Sequence, residues 1–153
     1  MRWKRILRLA ILGVIGLLVL IQFVPYGRDH TNPPVTTEPA WDSPQTRELA
    51  ARSCFDCHSN LTRWPWYTSV APMSWLVQRD VDEGRNTLNF SEWDRPQEAG
   101  DGVSEVISEG EMPPWDYTLI HPSAKLTAEE RQHLIDGLRA TFQVSPPIQG
   151  GGG

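Results

Sequence analysis

Cys54-Phe55-Asp56-Cys57-His58 limits the chain more sharply than any other stretch. Two thiols separated by two residues, with a histidine directly after the second, form the attachment motif of c-type haem. Each thiol adds across one porphyrin vinyl group, so the two sulfurs must lie about one helical turn apart. The histidine then offers an imidazole nitrogen to iron as the proximal ligand. Three other readings compete. A disulfide or a thioredoxin-like redox pair has no use for His58, and no βαβ pattern surrounds the motif. A structural zinc site takes about four ligands, and Cys54 and Cys57 are the only cysteines in the chain. The motif therefore predicts one covalent haem c on Cys54 and Cys57, with His58 on the metal.

The N-terminus carries Arg2, Lys4, Arg5 and Arg8, and Leu9–Val24 is then almost purely apolar. A basic segment before an apolar run is either a cleaved signal peptide or an uncleaved anchor. No small-x-small cleavage site follows, because the chain continues Val24-Pro25-Tyr26-Gly27-Arg28. The expectation is a single-pass signal anchor over residues 1–25, set in a bacterial cytoplasmic membrane with its positive charges inside. Everything after it is then exported to the periplasmic side, where c-type maturation takes place.

Beyond Val24, ten of the 14 Lys and Arg stand against all 19 Asp and Glu, a net charge of −9. Such acidity excludes nucleic acid as a natural partner. It suits a redox partner or membrane complex with a basic docking patch, which it would steer more than tighten; plain solubility is the alternative.

Residues 26–42 read as a proline-rich linker, with Pro33, Pro34 and Pro39 among polar residues, and such segments favour extended geometry. Ser43-Pro44 has the form of a helix start, N-cap then proline, for a helix running into Cys54 along a stripe of small side chains. Thr127-Ala128-Glu129-Glu130 has the form of a capping box. The helix that follows repeats Leu134, Leu138 and Phe142 at four-residue steps, with Ile135 and Gly137 on the same side. Shorter helices are expected over 74–83, stopped by Gly84, and 103–109, stopped by Gly110. The predicted fold is all-α: a small class I cytochrome c-like helical domain over 43–142, with a helix entering the haem motif crossed by the closing helix. Residues 143–153, ending in four glycines, are expected to be a disordered tail.

Aliphatic residues are scarce between 54 and 120, and aromatic ones take their place. Trp64, Trp66 and Tyr67 follow the motif closely and, with Arg63, are candidate haem-pocket residues; Arg79 and Arg85 are further candidate propionate partners. Asp56 and Glu111 read as solvated carboxylates.

Several stretches together resemble the bacterial haem-binding domain family. They are Cys54–Asn60, Trp64-Pro65-Trp66-Tyr67, Ser74-Trp75-Leu76-Val77, Gly84-Arg85, Leu88-Asn89-Phe90-Ser91-Glu92-Trp93, Gly110-Glu111-Met112-Pro113-Pro114-Trp115 and His121-Pro122. The resemblance spans roughly Trp41 to Phe142. It implies an exported, membrane-anchored domain with a single c-type haem, and leaves the physiological role open because the family is named for its ligand.

An electron carrier, alone or within a membrane redox complex, is the leading expectation, and no catalytic acid, base or nucleophile constellation argues for an enzyme. A peroxidase-like haem with an open sixth position, or a haem-based sensor or interaction module, is the alternative. A low-spin iron needs a second thioether or imidazole, and Met73, Met112, His30, His121 and His133 are available. His30 lies in the linker, His133 on the closing helix, and Met73 follows Pro72 where a helix opens and a core role is expected. Met112 precedes two prolines, so its strand is extended and carries few N–H donors that a haem face would leave unsatisfied. It also follows His58 by 54 residues and precedes the closing helix, the chain order of the small cytochromes it resembles. Met112 is thus the expected sixth ligand, with His121 next.

Overall fold

The structure, a computed structural model, describes residues 2–98, 100 and 102–149. It divides into two units, one of residues 2–31 and 64–80, the other of residues 32–63 and 81–149. The fold is all-α, with two short strands among the described residues.

In the first unit, α1 (Arg2–Leu20) buries none of its side chains. With the 3-10 turn Ile21–Phe23 it is long and apolar enough to cross a membrane. Gln22 closes this segment onto the unit: its amide nitrogen donates to the Ala71 carbonyl at 2.9 Å, and its oxygen accepts from the Ala71 N–H at 3.0 Å. His30 stacks on Trp64 with ring centroids 4.6 Å apart and hydrogen-bonds the Thr68 carbonyl at 3.0 Å. The 3-10 turn Trp66–Ser69 follows.

The second unit holds the core. α2 (Pro44–Ser53) starts as its sequence predicts, with the Ser43 hydroxyl accepting from the Thr46 N–H. α3 (Phe55–His58) follows directly. α7 (Ala128–Val144) opens on the complete Thr127–Glu130 capping box. α2 buries Thr46, Leu49, Ala50 and Ser53, and α7 buries Leu134, Ile135, Gly137, Leu138 and Thr141. A side chain on Gly137 would collide with Thr46, so the small stripe of α2 sits backbone-close to α7. α5 (Val103–Ser108) packs on the same helix and ends at Gly110, whose φ of +80° favours glycine. Aromatic rings fill the space that aliphatic residues leave: Phe90 lies 5.7 Å from Phe55, 5.2 Å from Trp41 and 5.8 Å from Trp93.

Three expectations need correction. α4 (Met73–Thr87) does not stop at Gly84 but passes through it, because that glycine accommodates a close neighbour rather than a turn. Residues 32–42 are extended but are no free spacer. The Ser91 carbonyl accepts from the N–H groups of Thr36 and Thr37, the Thr37 carbonyl accepts from Trp93, and Trp41 packs on the core. Residues 143–149 are ordered into the fold as well. The Ser145 carbonyl accepts from the Trp93 indole at 3.1 Å, and β2 (Ile148–Gln149) pairs in parallel with β1 (Pro96–Gln97). Gly150–Gly153, also expected to be disordered, lie outside the described residues.

Candidate functional site

The haem motif is a helix restart. α2 ends with the Cys54 N–H on the Ala50 carbonyl at 2.8 Å, and Cys54 then leaves helical geometry. One turn later its own carbonyl accepts from Cys57 at 3.1 Å and His58 at 2.9 Å, which sets the two thiols one turn apart. Phe55 points into the core and anchors that turn. Burial pushes the Cys54 thiol above its ordinary pKa, with the Ser53 hydroxyl only partly opposing it.

Orientation of His58 comes from α4. Nδ1 donates to the Gly84 carbonyl at 3.0 Å and lies 3.1 Å from the Leu88 carbonyl. A ring bonded this way carries its proton on Nδ1 and keeps the Nε2 lone pair, the tautomer a metal needs. Burial holds His58 below the usual histidine range, and the two backbone bonds offset this only in part. Gly84 makes the approach feasible: a Cβ there would lie 2.6 Å from the Cys57 oxygen and 2.9 Å from its carbonyl carbon. The exit of the turn is held equally firmly. The Phe90 N–H donates to the His58 carbonyl at 2.9 Å. Buried Asn60 receives the Asn89 amide at 2.9 Å and donates to Glu92 at 2.8 Å, while its N–H meets Ser91 Oγ at 2.9 Å.

Asp56 is not the solvated carboxylate expected from sequence, since it is only 8 % exposed. Oδ1 accepts from the Arg63 N–H and Nε at 3.1 Å, and Oδ2 accepts from Arg63 Nη2 at 2.9 Å and the Tyr117 hydroxyl at 2.6 Å. Burial raises its pKa, but the hydrogen bonds from Arg63 and Tyr117 prevail and leave it below the ordinary value. The same arrangement pushes the Tyr117 phenol far above its usual range, through burial first and the facing carboxylate second. Glu111, by contrast, is exposed as expected.

Of the remaining candidates, Met112 follows α5 in a loop where its N–H donates to the Val106 carbonyl at 3.2 Å, and it is 36 % exposed. His121 ends α6 (Trp115–Ile120), with its ring edge-on to Tyr117 at 4.3 Å. Burial lowers its pKa, while Asp56 raises it and Arg63 lowers it further. Arg63 donates to Asp56, and Arg85 donates to the Ser59 carbonyl at 2.9 Å and to Thr62 at 2.9 Å. Trp64, Trp66, Tyr67, Arg79 and Met73 belong to the first unit. Met73 opens α4, as expected, but is 37 % exposed rather than a core residue, and Ser74 beside it is the buried residue of that turn.

Two thiols one turn apart and an imidazole with its proton on Nδ1 are the donor types that c-type haem attachment uses. The model of the haem-binding domain family matches residues 16–140. The chain belongs to the haem-binding domain family. No curated protein and no solved structure matches it. The family match begins before the acidic domain, so it takes in residues 32–42, the segment that the fold straps to Ser91 and Trp93. Sequence reasoning missed Tyr117, Gly84 and the Asn60–Asn89 pair as parts of the site. The resemblance to the family includes Asn60, Gly84 and Asn89 without giving them a role, Gly84 otherwise reads as a helix stop, and no spacing rule points to Tyr117.

Proposed function

We propose that this haem-binding domain protein is an exported, membrane-anchored monohaem c-type cytochrome that carries electrons, alone or as a subunit of a membrane redox complex. The observation that carries the reading is the bond from His58 Nδ1 to the Gly84 carbonyl, which aims a neutral Nε2 away from the helix. In this reading Cys54 and Cys57 hold one haem covalently, His58 is its proximal ligand and Met112 its sixth. When bound, the haem supplies a one-electron iron couple. The chain's own residues set its potential by ligand identity, by burial and by the backbone bonds on His58.

α1 remains in the bacterial cytoplasmic membrane with Arg2, Lys4, Arg5 and Arg8 inside and the acidic domain on the outer side. The excess of carboxylates there favours a redox partner with a basic docking patch.

Expression of the full chain with the c-type maturation machinery tests the proposal. Acid–acetone extraction should leave one haem on the protein with a c-type pyridine haemochrome, and Cys54→Ala or Cys57→Ala should each remove one attachment. Loss of all haem on extraction would sink the covalent assignment. The spectrum should be six-coordinate and low-spin in both oxidation states; a high-spin ferric form would favour a peroxidase-like haem instead. A mature N-terminus near Gly27 would replace the anchor by a cleaved signal.

A further inference from the structure

We infer that Asp56 and Tyr117 form a latch that holds the segment 112–121 onto the haem motif, and so act as positioning residues for whichever ligand that segment gives to iron. The inference rests on the haem reading above. Its starting point is the weakness of α6. A six-residue helix is not stable in isolation, and α6 buries none of its residues, with Trp115, Leu119 and Ile120 all exposed. Something other than apolar packing must hold it in place.

Tyr117 is the side chain that turns inward. Its hydroxyl donates to Asp56 Oδ2 at 2.6 Å, a short bond to a carboxylate. Asp56 is a rigid receptor, because it lies inside the haem motif between the two cysteines and its other lone pairs are filled by Arg63. The pin then registers both ends of the segment. On the C-terminal side the His121 N–H donates to the Tyr117 carbonyl at 2.9 Å, and its ring rests against the Tyr117 ring. On the N-terminal side the Thr118 N–H donates to the Pro114 carbonyl at 3.0 Å, two residues after Met112. Both candidate sixth ligands are therefore on a stretch that the Asp56–Tyr117 bond ties to the motif.

Tyr117→Phe removes the hydroxyl alone. The ring stays, and Asp56 keeps its Arg63 bonds, so the carboxylate is not left bare and the chain should fold. A charge-assisted hydrogen bond corresponds to roughly ten- to a hundredfold in the balance between held and released segment. In haem-loaded full chain, carbon monoxide binding to the ferrous form should accelerate by about that factor. The ligand-to-iron charge-transfer band should weaken, and the amides of Thr118 and His121 should exchange hydrogen faster. Asp56→Asn, which keeps an acceptor oxygen but no charge, should fall between wild type and Tyr117→Phe.

A merely structural bond would lower the melting temperature while leaving carbon monoxide binding, spectrum and amide exchange at wild-type values, and that result overturns the latch. If wild-type protein already takes carbon monoxide without delay, the six-coordinate reading fails separately. The latch is then decided by exchange alone, and unchanged protection of Thr118 and His121 in Tyr117→Phe refutes it.

Discussion

Gly84→Ala separates a helix-propensity view of α4 from a packing view. Residue 84 is interior to Met73–Thr87, where alanine is about 1 kcal/mol better than glycine, so local reasoning expects stabilisation. The structure reverses the sign. The new Cβ would lie 2.6 Å from the Cys57 oxygen and 2.9 Å from both its carbonyl carbon and its Cβ. Those atoms are backbone or directly attached to it, so they cannot swing aside, and overpacking of this kind costs about 1–3 kcal/mol. Separating α4 from α3 also stretches the 3.0 Å bond from His58 to the Gly84 carbonyl, at a further cost of about 1 kcal/mol. The net expectation is a loss of about 1–3 kcal/mol, with a changed reduction potential because His58, the proposed proximal ligand, loses its backbone bond. Guanidinium denaturation and redox titration of the haem-loaded chain measure both. Gly102→Ala, with open space around it, should change neither. A Gly84→Ala protein more stable than wild type, at unaltered potential, would refute the close-approach argument.

Met112→Ala should leave a vacant or water-bound sixth position, with a lower potential and new affinity for carbon monoxide, whereas Met73→Leu should leave the spectrum alone. If Met112→Ala stays low-spin while His121→Ala turns high-spin, the sixth ligand is His121. Glu38 accepts from Arg47 at 2.6 and 2.7 Å and from the Trp41 indole at 2.8 Å, and these bonds, Arg47 first, hold its pKa below the ordinary value despite burial. A depressed carboxylate stabilises above its unfolded pKa and loses that stabilisation as pH falls through the folded one. Glu38→Gln should thus cost about 1 kcal/mol at neutral pH, limited by the half-exposed arginine, and the gap should close in acid; a gap independent of pH would contradict the ion pair.

Local signals carried much of this fold. Ser43-Pro44 and the Thr127–Glu130 box predict the starts of α2 and α7, and both caps form with the expected bonds. The four-residue repeat of Leu134, Leu138 and Phe142, with Gly137 beside it, predicts the face that meets α2. Failures occurred where composition stood in for contact. Residues 32–42 are proline-rich and extended, as linkers are, yet their backbone groups pair with Ser91 and Trp93. The tail after Val144 looks featureless, yet Ser145 and Ile148–Gln149 find partners on Trp93 and β1. In each case the partner lies some 50 residues away or more, beyond the reach of any periodicity.

The same limit shapes the site. Cys54, Cys57 and His58 are legible because the covalent attachment proposed for them needs all three within one turn of chain, and spacing alone records that demand. What orients them is not local. Gly84 and Gly110 both follow helical patterns and both read as stops, but only Gly110 has a positive φ. Gly110 ends a helix because its backbone turns left-handed; Gly84 continues one because Cys57 needs the space a side chain would fill. The tautomer of His58 therefore depends on a carbonyl 26 residues downstream, and the fixity of Asp56, inside the motif, depends partly on a phenol 61 residues away. A haem motif grafted onto another helix would keep its thiols and its histidine, but it would lack the groups that decide which imidazole nitrogen is left free of a backbone bond.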